Sequence, residues 1–458
     1  TNLTIGVVPG STVLSYSNHF VLGVSSNAAP GSAQSVRFDA YIGATLAESY
    51  TLNFGVFRGE IKQFALTDPI DGQRDIIGWG ANQIGRYTPA GETRWSITEG
   101  VSFYSVDGAA LGDVNGNGRQ EIAYWHGSSL GGGSYVSLVD ADGQALSGWP
   151  KSYGYRAHRV MTADLDGNGT AEIIVLYSSS ANTSAIRAYN AAGSILWTYS
   201  IGDSGAFLRM MSLGDLEGDG KQEIVIGSIS GEIRIIDAAN GATNRSITLP
   251  GHTVGESTEV RLVDLDGDGA DEIVVTASDA ATFVRRLFVL NADGSVRDGW
   301  PVYARRDGNL WGTSDAQFAD LDGDGQIEIF LTDGQAGRLA GWNADGQPLP
   351  EFPIVDTGIC SRVVITDLNR DGRADFAYLA NYTHANDVGS VDVVARDRDG
   401  LLLHGFPRLV SEVAFENLIT DFTDLAAGPL FMGGHETNVF ILSTIGGSVN
   451  VIDTGFEH

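Results

Sequence analysis

The chain has 458 residues, enough for two or three ordinary domains or for one large repeat array, and its 60 glycines point to a turn-rich β protein. Lys+Arg 28 against Asp+Glu 57 leaves a net charge of −29, which argues against non-specific binding to nucleic acid or to an anionic membrane, because no basic patch is there to displace counterions. The single cysteine, Cys360, cannot make an internal disulfide, and no run of 18 apolar residues provides a membrane span.

Residues 1–57 carry no acidic loop, and their segments 36–41 and 50–57 alternate apolar and polar residues as half-buried strands do. They are too few for a complete sandwich. The expectation is a short N-terminal β segment, the tail of an upstream sandwich domain, with a strand from 50–57 donated to close the domain that follows. No signal peptide opens the sequence at Thr1, so the chain reads as soluble, a mature or excised segment whose export signal has been removed.

From residue 58 to residue 458 one unit recurs. Its clearest copy is Gln-Phe-Ala-Asp-Leu-Asp-Gly-Asp-Gly-Gln-Ile-Glu-Ile-Phe-Leu, starting at Gln317, in which a nine-residue acidic loop lies between two apolar runs. Carboxylates at loop positions 1, 3 and 5 (Asp320, Asp322, Asp324) and 9 (Glu328) supply the hard oxygens that Ca²⁺ prefers. Gly323 and Gly325 lie where the backbone must fold back on itself. The closing acid comes at position 9 and a strand-like run follows, which excludes a helical calcium sensor of the EF-hand kind.

Six good copies begin at Asp113, Asp164, Asp215, Asp264, Asp320 and Asp367, spaced 51, 51, 49, 56 and 47 residues apart. A period near 50 matches a four-stranded propeller blade. Within each copy one strand enters the loop, a second leaves it, a third ends in an Asp-Gly or Asn-Gly type turn, and a fourth often opens with Gly-Trp-Pro or Gly-Phe-Pro, as at Gly148, Gly299 and Gly405. The tryptophans of that opening are expected between blades. A weaker copy at Asp68, Asp71 and Asp75 has a shortened loop with Pro69 and is not expected to bind metal; another at Asp421 has lost its glycines and stops after three strands. Counting both gives an all-β, eight-bladed β-propeller of four-stranded blades, with seven blades as the runner-up.

These loops at this period resemble the FG-GAP/VCBS repeats of integrin α-subunit propellers and of many secreted bacterial proteins. The resemblance covers roughly residues 59–453 and implies about six structural Ca²⁺ sites. Carried over copy by copy, the ligands are Asp113, Asn115, Asn117 and Glu121; Asp164, Asp166, Asn168 and Glu172; Asp215, Glu217, Asp219 and Glu223; Asp264, Asp266, Asp268 and Glu272; Asp320, Asp322, Asp324 and Glu328; and Asp367, Asn369, Asp371 and Asp375. The first site keeps only two carboxylates and should be the weakest.

The same resemblance implies a secreted or cell-surface binding or adhesion module, part of a larger protein, that recognises a polysaccharide or an extracellular protein. The net charge and the lack of a long apolar run lead to the expectation of no nucleic-acid partner and no membrane insertion; the oligomeric state stays open, with a monomer expected. Loops opposite the metal face would carry the ligand, and there the sequence places His126, Tyr153, Tyr155, Arg156 and His158, then Tyr303, Arg305 and Trp311, then Tyr382 and His384. The motifs of serine hydrolases, zinc proteases and phosphate loops are missing, and no catalytic residue is assigned. The enzymatic alternative is a polysaccharide lyase acting on an acidic polysaccharide, with Tyr155 or His158 as base beside Arg156.

Overall fold

Each repeat contains one strand that is apolar at nearly every position. Ile173, Ile174, Val175 and Leu176 are all buried, as are Ile224, Val225 and Ile226, and Ile273, Val274 and Val275. Successive side chains on a strand point to opposite faces, so such a run is buried throughout only where its sheet is covered on both sides. Radial stacking of small sheets does this. In the computed structural model Ile173, Val175 and Tyr177 face one neighbouring sheet while Ile174 and Leu176 face the other.

The structure describes residues 33–453 apart from 43–44, 56–62, 70–73, 81, 89–92, 100–103, 129–132, 181–182, 202–210, 229–230, 255–259, 283, 304–315, 334–336, 357–362, 370, 384–387, 415–421, 433–434 and 445–448. All its elements are strands. Seven blades follow one another in the chain: blade 1 spans 63–98, blade 2 104–153, blade 3 156–200, blade 4 211–248, blade 5 252–303, blade 6 317–355 and blade 7 364–414. Each is an antiparallel meander with its strands in chain order. In blade 5 the first position is shared by His252–Val254 and Arg261–Val263, which pair with opposite ends of Glu272–Asp279. Apolar clusters join blades 1 and 2, 2 and 3, 3 and 4, 4 and 5, 5 and 6, and 6 and 7. Full burial of each Val, Leu or Ile contributes roughly 1.5–3 kcal/mol, and these interfaces are where the hydrophobic stabilisation resides.

The expected count of eight blades is corrected to seven. The last copy has three strands, Phe422–Met432, His435–Thr444 and Val449–Asp453, and does not form a four-stranded blade in series like the others. Together with Ala33–Ile42 and Thr45–Gly55 they make a five-stranded sheet. Asn53 pairs with Val451 and Phe54 with Asn450. Phe422–Met432 lies against the first strands of both blade 7 and blade 1. A repeat without a fourth strand has an open edge, which pairing with another part of the chain removes.

The Gly-Trp-Pro tryptophans do lie between blades. Trp149 of blade 2 donates from Nε1 to the Ala191 carbonyl of blade 3 (2.8 Å), and Trp300 of blade 5 donates to Ala344 of blade 6 (3.0 Å). The preceding glycines make room for this. A Cβ on Gly148 would stand 2.2 Å from the Ala192 carbonyl oxygen, and one on Gly299 1.9 Å from that of Asp345, both at positive φ. Gly325 also has positive φ, but nothing lies within 4 Å of its missing Cβ. Gly325→Ala should therefore cost only the left-handed backbone penalty of about 1–2 kcal/mol. Gly299→Ala adds overlap with a backbone oxygen and should lower the melting temperature clearly more, as differential scanning calorimetry of the two variants would show. Equal losses would mean that blade-to-blade contact does not depend on this glycine.

Candidate functional site

The six acidic loops join the first and second strands of blades 2 to 7 and share one pattern of hydrogen bonds. The position-1 aspartate turns its oxygens onto backbone N–H groups within the loop. In blade 3, Asp164 Oδ1 accepts from Gly167 (2.8 Å) and Asn168 (3.1 Å) while Oδ2 accepts from Gly169 (2.8 Å). The position-9 acid opens the second strand and accepts from the position-2 N–H. This holds for Glu121 with Val114 (3.0 Å), Glu172 with Leu165 (2.9 Å), Glu223 with Leu216 (3.0 Å), Glu272 with Leu265 (2.9 Å), Glu328 with Leu321 (2.6 Å) and Asp375 with Leu368 (2.9 Å). The shorter Asp375 thus keeps the contact.

These closing acids are between 0 and 6 % exposed. A buried carboxylate beside other carboxylates resists ionisation. Burial, and then the charges of Asp322, Asp324 and Asp320, push Glu328 up to about 7. Burial also takes Glu223 to about 7 and Asp375 to about 6, and raises Glu121, Glu172 and Glu272. Such an arrangement of oxygens fits a hard divalent cation, which would satisfy the charge that burial leaves exposed to its neighbours.

The loops differ in how far they fit. Ligand oxygens come within 4.8 Å of one another in Asp164, Asp166 and Glu172, in Asp264, Asp266 and Glu272, and in Asp320, Asp322 and Asp324. In blade 2, Asn115 Nδ2 donates to Glu121 Oε1 (2.8 Å), so an amide meets the oxygen that a metal would otherwise take. In blade 4 the long Glu217 side chain turns to Arg245 (2.5 Å). Blade 5 contains a group that motif spacing did not reveal: Arg297, from the turn before the fourth strand, meets Asp266 Oδ2 (2.8 Å) and Glu272 Oε1 (2.7 Å). Blade 1 goes further. Asp75, at the corresponding strand start, is gripped by Arg86 and Arg94, each at 2.7 Å, so guanidinium groups stand where the other blades keep a cluster of oxygens. Neighbouring loops are also tied together, by Ala171 N–H to the Asp113 carbonyl (2.8 Å), Asp271 to Asp215 (2.7 Å) and Ile327 to Leu265 (2.9 Å).

With this geometry, the comparison with known proteins is specific. The FG-GAP-like repeat family matches residues 215–275, 264–331 and 320–378. The chain carries FG-GAP-like repeats on a β-propeller. The three overlapping FG-GAP matches each run from one acidic loop through the next. The V. cholerae biofilm matrix protein Bap1 is similar in structure, with TM-score 0.52 at 14 % identity over 86 % of this chain and 88 % of that one. BamB from Moraxella catarrhalis reaches 0.49 at 14 % (87 % and 95 % covered), and Saccharomyces cerevisiae Sqt1 0.49 at 11 % (88 % and 90 %). At these identities the likeness concerns the fold alone. A search of curated proteins finds no match.

The residues expected on the opposite face are scattered. His126 is buried in the second strand of blade 2, where Nε2 meets Ser137 Oγ at 3.0 Å, Nδ1 lies 3.8 Å from Glu99, and burial holds its pKa below the ordinary range. Tyr153 is buried between blades 2 and 3. Arg156 pairs with Asp107 (3.6 Å), and His158 Nε2 meets Ser178 Oγ (2.8 Å). Tyr155 and Tyr303 are exposed, the latter under the Arg286 guanidinium at 4.9 Å. Arg305, Trp311 and His384 lie outside the described residues, and so does the side chain of Tyr382. Tyr153, Tyr155, Arg156 and His158 are neighbours in sequence where blade 2 passes into blade 3, and Tyr303 lies apart from them in blade 5.

The raised acids fix the sign of a pH effect. A group whose folded pKa lies above its unfolded value near 4.5 stabilises most below that value and loses its contribution as pH rises through the folded one. In chelator, melting temperature should fall as pH rises from about 4.5 to about 7, the window set by Glu328 and Glu223. Glu328→Gln keeps an acceptor for Leu321 and removes the buried charge, so at pH 8 in chelator it should melt higher than the parent chain. A lower melting point there would show that the ionised carboxylate is not under strain.

Proposed function

We propose that the protein is an extracellular binding module whose blades are stiffened by Ca²⁺ held in the loops of blades 2 to 7, and that its ligand is a polysaccharide or an extracellular protein. The observation that carries the metal reading is the buried closing acid: six times a carboxylate opens the second strand and accepts the position-2 N–H, beside further acidic or amide side chains of the same loop. The FG-GAP-like repeats and the propeller support a binding role in general. Loop oxygens of this type suit the millimolar Ca²⁺ of extracellular fluid, where modules bind with Kd of roughly 10⁻⁴–10⁻³ M. A chain with one cysteine also gains in such a compartment from a staple other than a disulfide.

The set should not be uniform. Blades 3 and 6 offer compact acidic clusters without a guanidinium and should bind tightest; blade 2, with its two asparagines, should bind weakest. In blade 5, Arg297 must withdraw from Glu272 before a cation takes that oxygen, so Arg297→Ala should tighten binding there. Isothermal titration with Ca²⁺, paired with melting curves in EGTA, tests both points: chelation should lower the melting temperature by many degrees. A melting curve indifferent to EGTA, or no heat on titration, would remove the metal reading. A glycan and matrix-protein array on the Ca²⁺-loaded chain tests the binding role, and an array with no hits would remove it.

A further inference from the structure

Many of the described arginines meet a carboxylate. Arg86 and Arg94 share Asp75, Arg119 meets Asp142, Arg234 Glu232, Arg245 Glu217 and Arg396 Asp356. At the rim between blades 2 and 3 two cations do not. Lys151, on the fourth strand of blade 2, holds its ammonium 5.4 Å from the Trp149 ring centroid and 5.7 Å from that of Tyr189. Arg187, on the third strand of blade 3, lies 5.0 Å over the Tyr177 ring and donates from Nη1 to Tyr189 Oη (3.3 Å) and from Nε to Thr198 Oγ1 (3.1 Å). Both cations thus flank a single phenol, Tyr189, and both are only half-buried. Among the described residues neither has an acidic partner.

The site is held rigidly. Tyr153 donates to Tyr189 Oη (2.9 Å) and its ring lies 4.6 Å from that of Tyr177, so the rings are fixed to one another and to the blade interface. Tyr155, two residues beyond Tyr153 where the fourth strand of blade 2 gives way to blade 3, is 55 % exposed.

We infer that this rim binds an acidic polysaccharide, with Lys151 and Arg187 receiving anionic groups carried on its sugar rings. Two cations set on either side of a phenol suit charges spaced along a chain of rings, whereas a phosphate calls for donors that converge on one point. A dense polyanion such as nucleic acid is disfavoured by the net charge of −29. The inference rests on the reading of the protein as a polysaccharide-binding module and names the ligand class and the place.

The test is titration of the Ca²⁺-loaded full chain with three short oligosaccharides of equal length: a uronate, a sulfated sugar and a neutral glucan. At least one anionic oligomer should bind and the glucan should not. Lys151→Gln with Arg187→Gln should raise the Kd at least tenfold, while the charge-preserving Lys151→Arg with Arg187→Lys should retain most of the binding. Arg398→Gln, the loss of one positive charge on the turn of blade 7, should leave it unchanged. Melting curves of each variant show whether the fold is kept, and the uronate and sulfate arms show which anion is preferred. Anionic binding untouched by the double glutamine variant, or hits confined to neutral glycans, overturns the inference and leaves the binding role standing. No glycan binding in any arm overturns the inference and the polysaccharide reading with it, and leaves an extracellular protein as the ligand.

Discussion

The rest of the structure depends on a carboxylate buried at the start of the second strand of each blade. Its bond to the position-2 N–H fixes the loop against the strand, and its burial among other acids creates a demand for positive charge at one place in every repeat. That demand shapes the repeat more than any single apolar contact. The apolar runs on either side stack blade on blade, and the loop bonds join the first and second strands within each of blades 2 to 7.

Seen as a demand for charge, the departures among the copies fall into one series. Blades 3 and 6 keep clusters of oxygens free of guanidinium. Blade 2 meets its closing acid with an asparagine amide, and blade 5 brings in Arg297 from a neighbouring turn. Blade 1, whose loop is shortened in sequence, settles two arginines on Asp75. A fixed guanidinium needs no ion from solution but pays side-chain entropy to hold its place. At Asp75 and Glu272 the protein's own arginines thus meet the buried charge.

Much of this was legible in the sequence. The period near 50, the four strands and the loop between the first and second of them follow from short local patterns that each copy repeats, and local patterns survive translation into structure. The blade count was not legible, because the last copy with its three strands joins a sheet with residues from the other end of the chain. The ligand face was harder still. His126 and Tyr153 have the chemistry of recognition, yet their burial is set by the adjoining blades, and no spacing rule reports that. Arg297 and the pair Lys151 and Arg187 were invisible for the same reason, since their partners lie on other strands or on another blade.

The shared terminal sheet governs the order of assembly. Blades 1 to 7 can each dock on the one before as the chain emerges, every new sheet covering the exposed face of its predecessor. The last strands instead pair with residues about 400 positions earlier, a closure whose chain-entropy cost is on the order of 5 kcal/mol by the logarithmic loop law. Until that closure the outer faces of the first and seventh blades lack the sheet whose strand Phe422–Met432 lies against both, and a partly assembled propeller presents two uncovered sheets.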